Sequence, residues 1–307
     1  MKVCFVGLGS IAKRHIRNLG TICNDKGMAL QIDAVRRFSD DKPAGVSEIY
    51  HHIDDVPADY DVIFITNPTE KHLDTLRIFH EKGKHFFIEK PVVSVRQVEK
   101  AGLFKLREES VYYIACPLRY NAVIQYIKKN VNPADVISVR SISSSYLPDW
   151  RPEQDYRDTY SAQKELGGGV SIDLIHEWDY LTYLFGWPES VHSFIGKKSS
   201  LEINSDDYAI YIAEYLDKIV ELHLDYFGRK TIREIQLFTK DDTIIGDIAN
   251  NRISFLKSGE KIDFMEQRDD YQMRELKHFL DMVNGKIESD SSFYHAIDVL
   301  KLTQGEL

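Results

Sequence analysis

The strongest constraint on this chain is a turn near its start, Gly7-Leu8-Gly9-Ser10-Ile11-Ala12, set between the apolar run Val3-Cys4-Phe5-Val6 and a helical stretch from Ile11 to Leu19. A strand that turns through GxGxxA into a helix is the entry to a dinucleotide-binding βαβ unit. The first glycine permits the tight turn, the second lets backbone approach a pyrophosphate, and Ala12 is small enough for close helix–strand packing. Around Ser10 and Ile11 the helix N-terminus adds N–H donors and the positive end of a dipole.

The next hundred residues continue in the same manner. Apolar runs at Leu30 to Val35, Val62 to Thr66, His85 to Ile88 and Tyr112 to Ala115 alternate with helical stretches at His72 to Lys82 and Val95 to Glu108, which predicts βα units on a parallel sheet. The second half differs. A polar, aromatic loop from Tyr146 to Leu166 and a Gly167-Gly168-Gly169 hinge lead into a helix predicted over Ser171 to Phe185. Strand then follows strand, at Ser190 to Ile195, Asp207 to Tyr215, Lys218 to Tyr226, Arg233 to Thr239, Thr243 to Ile248 and Arg252 to Leu256, the pattern of a mostly antiparallel sheet. Helices near Tyr271 to Val283 and Phe293 to Leu302 close the chain. The expected division is a dinucleotide-binding domain over 1–118 and a substrate-binding and oligomerisation domain over 119–307.

Composition narrows the partners. With 39 Lys+Arg against 48 Asp+Glu in 307 residues, a net charge of -9, a general nucleic-acid binder is disfavoured. No apolar run approaches the roughly 18 residues of a membrane span. Cys4, Cys23 and Cys116 make neither a disulfide framework nor a CxxC metal site, and no His or Cys gathers near the acidic residues after the glycine run, so no metal is expected. Met1-Lys2 passes straight into a strand-like run without the apolar core of a cleaved signal. A reduced, cytoplasmic protein is the expectation.

The end of the second strand bears on the cofactor. Dinucleotide sites place an acidic residue there for the adenosine ribose, but Leu30-Gln31-Ile32-Asp33-Ala34-Val35 runs on into Arg36-Arg37, with Asp33 in mid-strand. A guanidinium at the strand end can fork onto a 2′-phosphate, which favours NADP over NAD; two solvated arginines at a loop start is the other reading.

Two further stretches complete a pattern: Ile88-Glu89-Lys90-Pro91 after a strand, and Gly167-Gly168-Gly169-Val170-Ser171-Ile172-Asp173-Leu174-Ile175-His176 opening a helix. With the N-terminal GxGxxA the chain resembles the Gfo/Idh/MocA family of nicotinamide-dependent oxidoreductases over nearly its whole length. The resemblance implies a Rossmann doubly wound parallel sheet joined to a C-terminal α/β domain with a large, mostly antiparallel open sheet that commonly mediates oligomers, here a homodimer or homotetramer. It implies a small-molecule sugar, polyol or sugar-nucleotide substrate. It also gives Lys90 a place beside nicotinamide and substrate hydroxyl, and His176 the part of acid/base. Thr66-Asn67-Pro68-Thr69 with His72 resembles the family's loop near the cofactor, which Glu89 also borders, and Arg119-Tyr120-Asn121 the start of the substrate domain, with Arg119 and Tyr120 expected to meet substrate. Asp173 precedes His176 by three residues where many members have four; an i, i+3 pair shares a helical face, so Asp173 can orient the imidazole or meet a substrate hydroxyl.

The chemistry holds without the family. Oxidising a secondary alcohol needs a base for the hydroxyl proton, which a histidine suits, and an ammonium steadies the developing alkoxide. Between Tyr146 and Lys164, Trp150, Tyr156 and Tyr160 offer ring faces for a sugar, and Arg151, Arg157 and Lys164 donors for an anionic handle; the same aromatics can pin a long loop to the core. Two alternatives share the motifs: cleavage of a glycosidic bond through transient oxidation, and a non-catalytic NAD(P)-binding regulator.

Overall fold

The computed structural model describes residues 1–37 and 41–307. From the N-terminus it forms β1 (Lys2–Val6), α1 (Ser10–Asp25), β2 (Gln31–Val35), β3 (Glu48–Tyr50), β4 (Tyr60–Ile65), α2 (His72–Phe79), β5 (Gly83–Ile88), α3 (Val98–Gly102) and β6 (Tyr112–Ile114). The six strands form one sheet in the order β3-β2-β1-β4-β5-β6, every neighbour parallel. Strands buried on both faces need continuous apolar runs. Val62 to Ile65 and Phe86 to Ile88 are such runs, and Phe5, Phe64 and Phe87 stack through the centre of the sheet at 4.4 and 5.0 Å. The chain order reverses between β1 and β4, the place where an open α/β sheet leaves a crevice beyond its carboxyl ends.

The helix expected over Val95 to Glu108 is much shorter. A 3-10 turn at Val95–Gln97, opened by a Ser94/Gln97 capping box, leads into α3, which stops at Gly102, a residue that costs a helix about 1 kcal/mol relative to alanine.

The next stretch forms α4 (Ala122–Asn130), β7 (Val136–Tyr146), α5 (Val170–Asp173), α6 (His176–Phe185), β8 (Ser190–Gly196), β9 (Tyr208–Glu214), β10 (Ile219–Asp225), β11 (Phe227–Thr239), β12 (Thr243–Asp247), β13 (Arg252–Phe255) and β14 (Lys261–Asp263). The sheet order is β14-β13-β12-β11-β7-β10-β9-β8. Its pairs are antiparallel except for β7 with β10. One face is buried, through Val139, Tyr211, Leu222 and Leu237. The other carries Arg140, Glu221 and His223 among Phe194, Ile212, Ile219 and Ile232, all four exposed.

Two expectations for this region are corrected. The helix over Ser171 to Phe185 is two helices, because Leu174 takes φ -98 and ψ 29 and a tight turn separates α5 from α6. The glycine run is no hinge. A Cβ on Gly168 would strike the Tyr160 carbonyl, and one on Gly169, at φ +136, the Asp206 carboxylate, so these glycines are where backbone packs closest.

The chain ends with α7 (Arg268–Val283) and α8 (Phe293–Leu302). Two compact units result: residues 1–115 with 268–297, and 116–267 with 298–307. This division differs from a single boundary after residue 118. The reason is α7, whose Phe279 packs edge-on against Phe87 at 5.2 Å while Asp269 pairs with Arg17 at 2.6 Å, completing the first unit's core from near the chain's end. Among the described residues no helix is long and apolar enough to cross a membrane, and no cluster of His, Cys, Asp and Glu could hold a metal.

Candidate active site

In the first unit the candidate residues gather on the loops after β1, β4 and β5. Gly7 has φ +99, and a Cβ there would lie 2.8 Å from the Asn67 backbone, so the turn needs glycine on both counts. Its N–H donates to Val35 O at 3.2 Å, and the Thr66 hydroxyl donates to Gly7 O at 2.8 Å, tying the first loop to the second. Gly9 is different. Among the described residues a Cβ there would meet nothing within 4 Å, so these give no steric reason for glycine. Among the described residues no side chain caps the N-terminal turn of α1, the turn holds no acidic residue, and Ala12 is fully buried beneath it. Open space over Gly9 and N–H groups at Ser10 and Ile11 that meet no acceptor among the described residues fit the pyrophosphate of a dinucleotide.

Glu89 follows β5, its N–H donating to Ile65 O at 2.9 Å. His15, on α1, brings Nε2 to 2.6 Å from Glu89 Oε1. Burial alone would raise the Glu89 pKa, but the bond from His15 and the charges of His15, Lys90 and His72 outweigh it and hold the carboxyl below its ordinary value. His72 sits behind the next turn, with Nδ1 3.0 Å from Pro91 O and Nε2 2.9 Å from Asn67 O. Burial pushes its pKa down against the pull of these carbonyls and of Glu89. Pro68 begins the turn to α2, and Asn67 Nδ2 donates to Thr75 at 2.7 Å. Lys90 thus stands between a clamped Glu89 and a clamped Pro91.

At the end of β2, Asp33 is buried and accepts from the Tyr60 hydroxyl at 2.9 Å, which commits it to the core. Arg36 and Arg37 follow the residue that bonds Gly7; Arg36 Nη1 donates to Asp41 O at 3.2 Å, and Arg37 is exposed.

In the second unit His176 is the first residue of α6 and is partly exposed. Asp173 ends α5, buried, and accepts from the Tyr226 hydroxyl at 2.5 Å. Tyr160 lies close by: burial first, then the charge and hydrogen bond of Asp173, push its hydroxyl pKa upward. Trp150 stands edge-on to Tyr226 at 5.2 Å, and its Nε1 donates to Ser145 at 2.8 Å. Trp150, Tyr160 and Asp173 therefore form one cluster, assembled from a long loop, α5 and the corner between β10 and β11. Asp206 accepts from Ser171 N–H at 2.9 Å.

Tyr156 lines a small cavity together with Trp150, and the other candidates make contacts of their own. Arg119, 2% exposed, forks onto Asp179 at 2.9 and 2.7 Å, an ion pair that anchors α6. Tyr120 is buried beside it. Tyr156 takes the Glu202 N–H at 3.1 Å, pinning the loop, and Lys164 is exposed. Sequence reasoning missed His15, Tyr226 and Asp206. For His15 a signal existed, since it lies three residues after Ala12 on the face of α1 that meets the sheet; the other two are marked by nothing local.

Residues 1–111 match the model of an oxidoreductase family with an NAD-binding Rossmann fold, and residues 135–305 match that family's C-terminal alpha/beta domain. The chain belongs to the Gfo/Idh/MocA family. Among curated relatives of this family member, the uncharacterized oxidoreductase YrbE of Bacillus subtilis is 25% identical over 195 residues, covering 59% of this chain and 52% of YrbE; the match spans only about half of that relative. A scyllo-inositol 2-dehydrogenase (NAD(+)) of the same organism is 23% identical over 318 residues, covering 93% of this chain and 87% of the enzyme. Among solved structures, a levoglucosan dehydrogenase in complex with NADH and levoglucosan superposes with a TM-score of 0.84 at 14% identity, covering 99% of this chain and 95% of the other, a likeness of fold.

Proposed function

We propose that this Gfo/Idh/MocA member is an NAD(P)-dependent dehydrogenase or reductase acting on a CH–OH or carbonyl group of a sugar, polyol or sugar nucleotide. The observation that carries the reading is that an uncapped α1 N-terminus under an open Gly9 shares one set of loop ends with Lys90. The substrates in the names of relatives, scyllo-inositol and levoglucosan, support a polyhydroxylated ligand, and the exposed Lys164 suits one with an anionic group.

The residues would work as follows. Gly7 to Ala12 hold the pyrophosphate, Thr66, Asn67 and Pro68 wall the cofactor, and Arg36 and Arg37 take a 2′-phosphate, giving a preference for NADP. The nicotinamide, when bound, supplies the hydride acceptor or donor. His176 takes the hydroxyl proton, the Lys90 ammonium steadies the oxygen as charge develops, and Asp173, fixed by Tyr226, orients substrate or imidazole. Three cysteines present as buried thiols suit a reducing compartment such as the cytoplasm, and the open face of the second sheet suits a homodimer or homotetramer.

The test is a screen of sugars, polyols and nucleotide sugars with NAD and NADP, followed by reduced-cofactor absorbance. With a substrate in hand, His176→Asn is expected to slow single-turnover hydride transfer by roughly 10²- to 10⁴-fold with cofactor affinity unchanged, and Lys90→Ala to slow it as well. Wild-type hydride transfer in His176→Asn across neutral pH would make that histidine structural.

A further inference from the structure

His15 is almost wholly buried, 1% exposed, with Phe87 edge-on to its ring at 5.0 Å and Phe64 tilted at 6.1 Å. Nδ1 is buried with no hydrogen-bond partner among the described residues. The ring's one polar contact there is Nε2 to Glu89 Oε1, at 2.6 Å. A carboxylate only accepts, so Nε2 carries the proton. A histidine that merely filled core volume would do so better as leucine; this one places a single donor in an aromatic box and aims it at the residue before Lys90.

We propose that His15 is a positioning residue for Lys90, holding the Glu89 carboxylate in place from α1 and thereby fixing the charge beside the lysine. The inference rests on the reading of Lys90 given above. The hydrogen bond, the clamped backbone of Glu89 and the His72 bond to Pro91 O bracket Lys90 from both sides. The same α1 that presents its N-terminus under Gly9 thus also sets the residue next to Lys90. Charged or titratable groups acting on the Glu89 carboxyl are His15, Lys90 and His72.

A carboxylate held beside an ammonium favours its charged form. The test reads this on Lys90 itself, without a substrate, by competitive labelling with trace acetic anhydride across pH and mass spectrometry of the Lys90 peptide. In His15→Leu the labelling midpoint is expected to fall, so that Lys90 reacts several-fold faster near neutral pH, where one pKa unit is worth about tenfold. Glu89→Gln should match it. His15→Gln, whose amide can donate from about the place of Nε2, should return most of the way to wild type. NADH affinity, read by fluorescence, should stay within about threefold, since the α1 N-terminus is untouched. Should His15→Leu not fold, His15→Asn, whose amide falls short of Nε2, takes its place. Unaltered Lys90 labelling in the variant that folds overturns the proposal, as does failure of His15→Gln to restore it. Lys90→Ala is assayed separately: wild-type turnover there sinks the catalytic reading while leaving the link between His15 and Lys90 to stand or fall on labelling.

Discussion

Tyr226, at the corner between β10 and β11, donates its hydroxyl to the Asp173 carboxylate at the end of α5 across 2.5 Å. Both groups are buried, so neither can exchange this partner for water. Tyr226→Phe is expected to cost about 2 kcal/mol, the value of a buried hydrogen bond to a charged group, or roughly 3 °C in melting temperature for a chain of this size. Asp173→Asn made in the Tyr226→Phe background should cost less than in wild type. Additive losses in thermal unfolding would show that the two are not coupled.

Gly7 and Gly9 should separate fold from ligand. Gly7→Ala puts a Cβ against the Asn67 backbone at a positive φ and is expected to lower the melting temperature. Gly9→Ala meets nothing among the described residues, so stability should hold while NADH affinity falls by about tenfold or more, the effect of filling the approach to a pyrophosphate. Unchanged NADH affinity in a stable Gly9→Ala would remove the phosphate reading of the turn.

Arg36 and Arg37 bear on cofactor choice. Replacing both by alanine should weaken NADP about tenfold or more, the scale of losing a charge-assisted bidentate contact, and NAD much less. Titration of each cofactor against tryptophan fluorescence decides it; equal losses leave two solvated arginines.

His72 predicts a pH effect. Its pKa is lowered, first by burial, while an unfolded histidine takes its proton near about pH 6.5. Below that value the unfolded chain binds a proton that the native state refuses. Its contribution to stability is therefore full above the unfolded pKa and is lost as pH falls through the folded one. His85, also lowered by burial and by Lys84 and Arg107, acts with the same sign. Urea midpoints from about pH 7.5 to 5 should decline for wild type and decline less for His72→Gln. Parallel declines would place the titration elsewhere.

The open sheet face should be an interface between copies. Phe194 is 64% exposed and Ile212, its diagonal neighbour across the β8–β9 pair, 38%. Phe194→Lys with Ile212→Lys is expected to shift sedimentation from dimer or tetramer to monomer with the melting temperature little changed. A wild-type chain that sediments as a monomer ends the idea.

Much of the fold was legible because its signals are local. A strand, GxGxxA and a helix declare themselves within a few residues, and the parallel strands are apolar runs because both their faces are covered. β7 escaped notice for a physical reason: its buried face carries Ser141 and Ser143, whose hydroxyls meet Tyr180 at 2.6 Å and Arg233 at 3.3 Å. A strand whose covered face is polar lacks the alternation that sequence patterns depend on.

The sequence by itself determined which chemical groups are present and the local turns that display them: the glycines of the turn after β1, Lys90 after β5, His176 opening a helix. Only the tertiary structure decided what holds them. His15 meets Glu89 across 74 residues of chain, Arg119 meets Asp179 across 60, and Tyr226 meets Asp173 across 53. It also gave α7 to the N-terminal unit, with Phe279 closing a core begun at Phe5. Such pairs lie beyond any local pattern, because a buried donor is satisfied by whichever acceptor the packing of distant elements brings within reach, and that is a property of the folded chain.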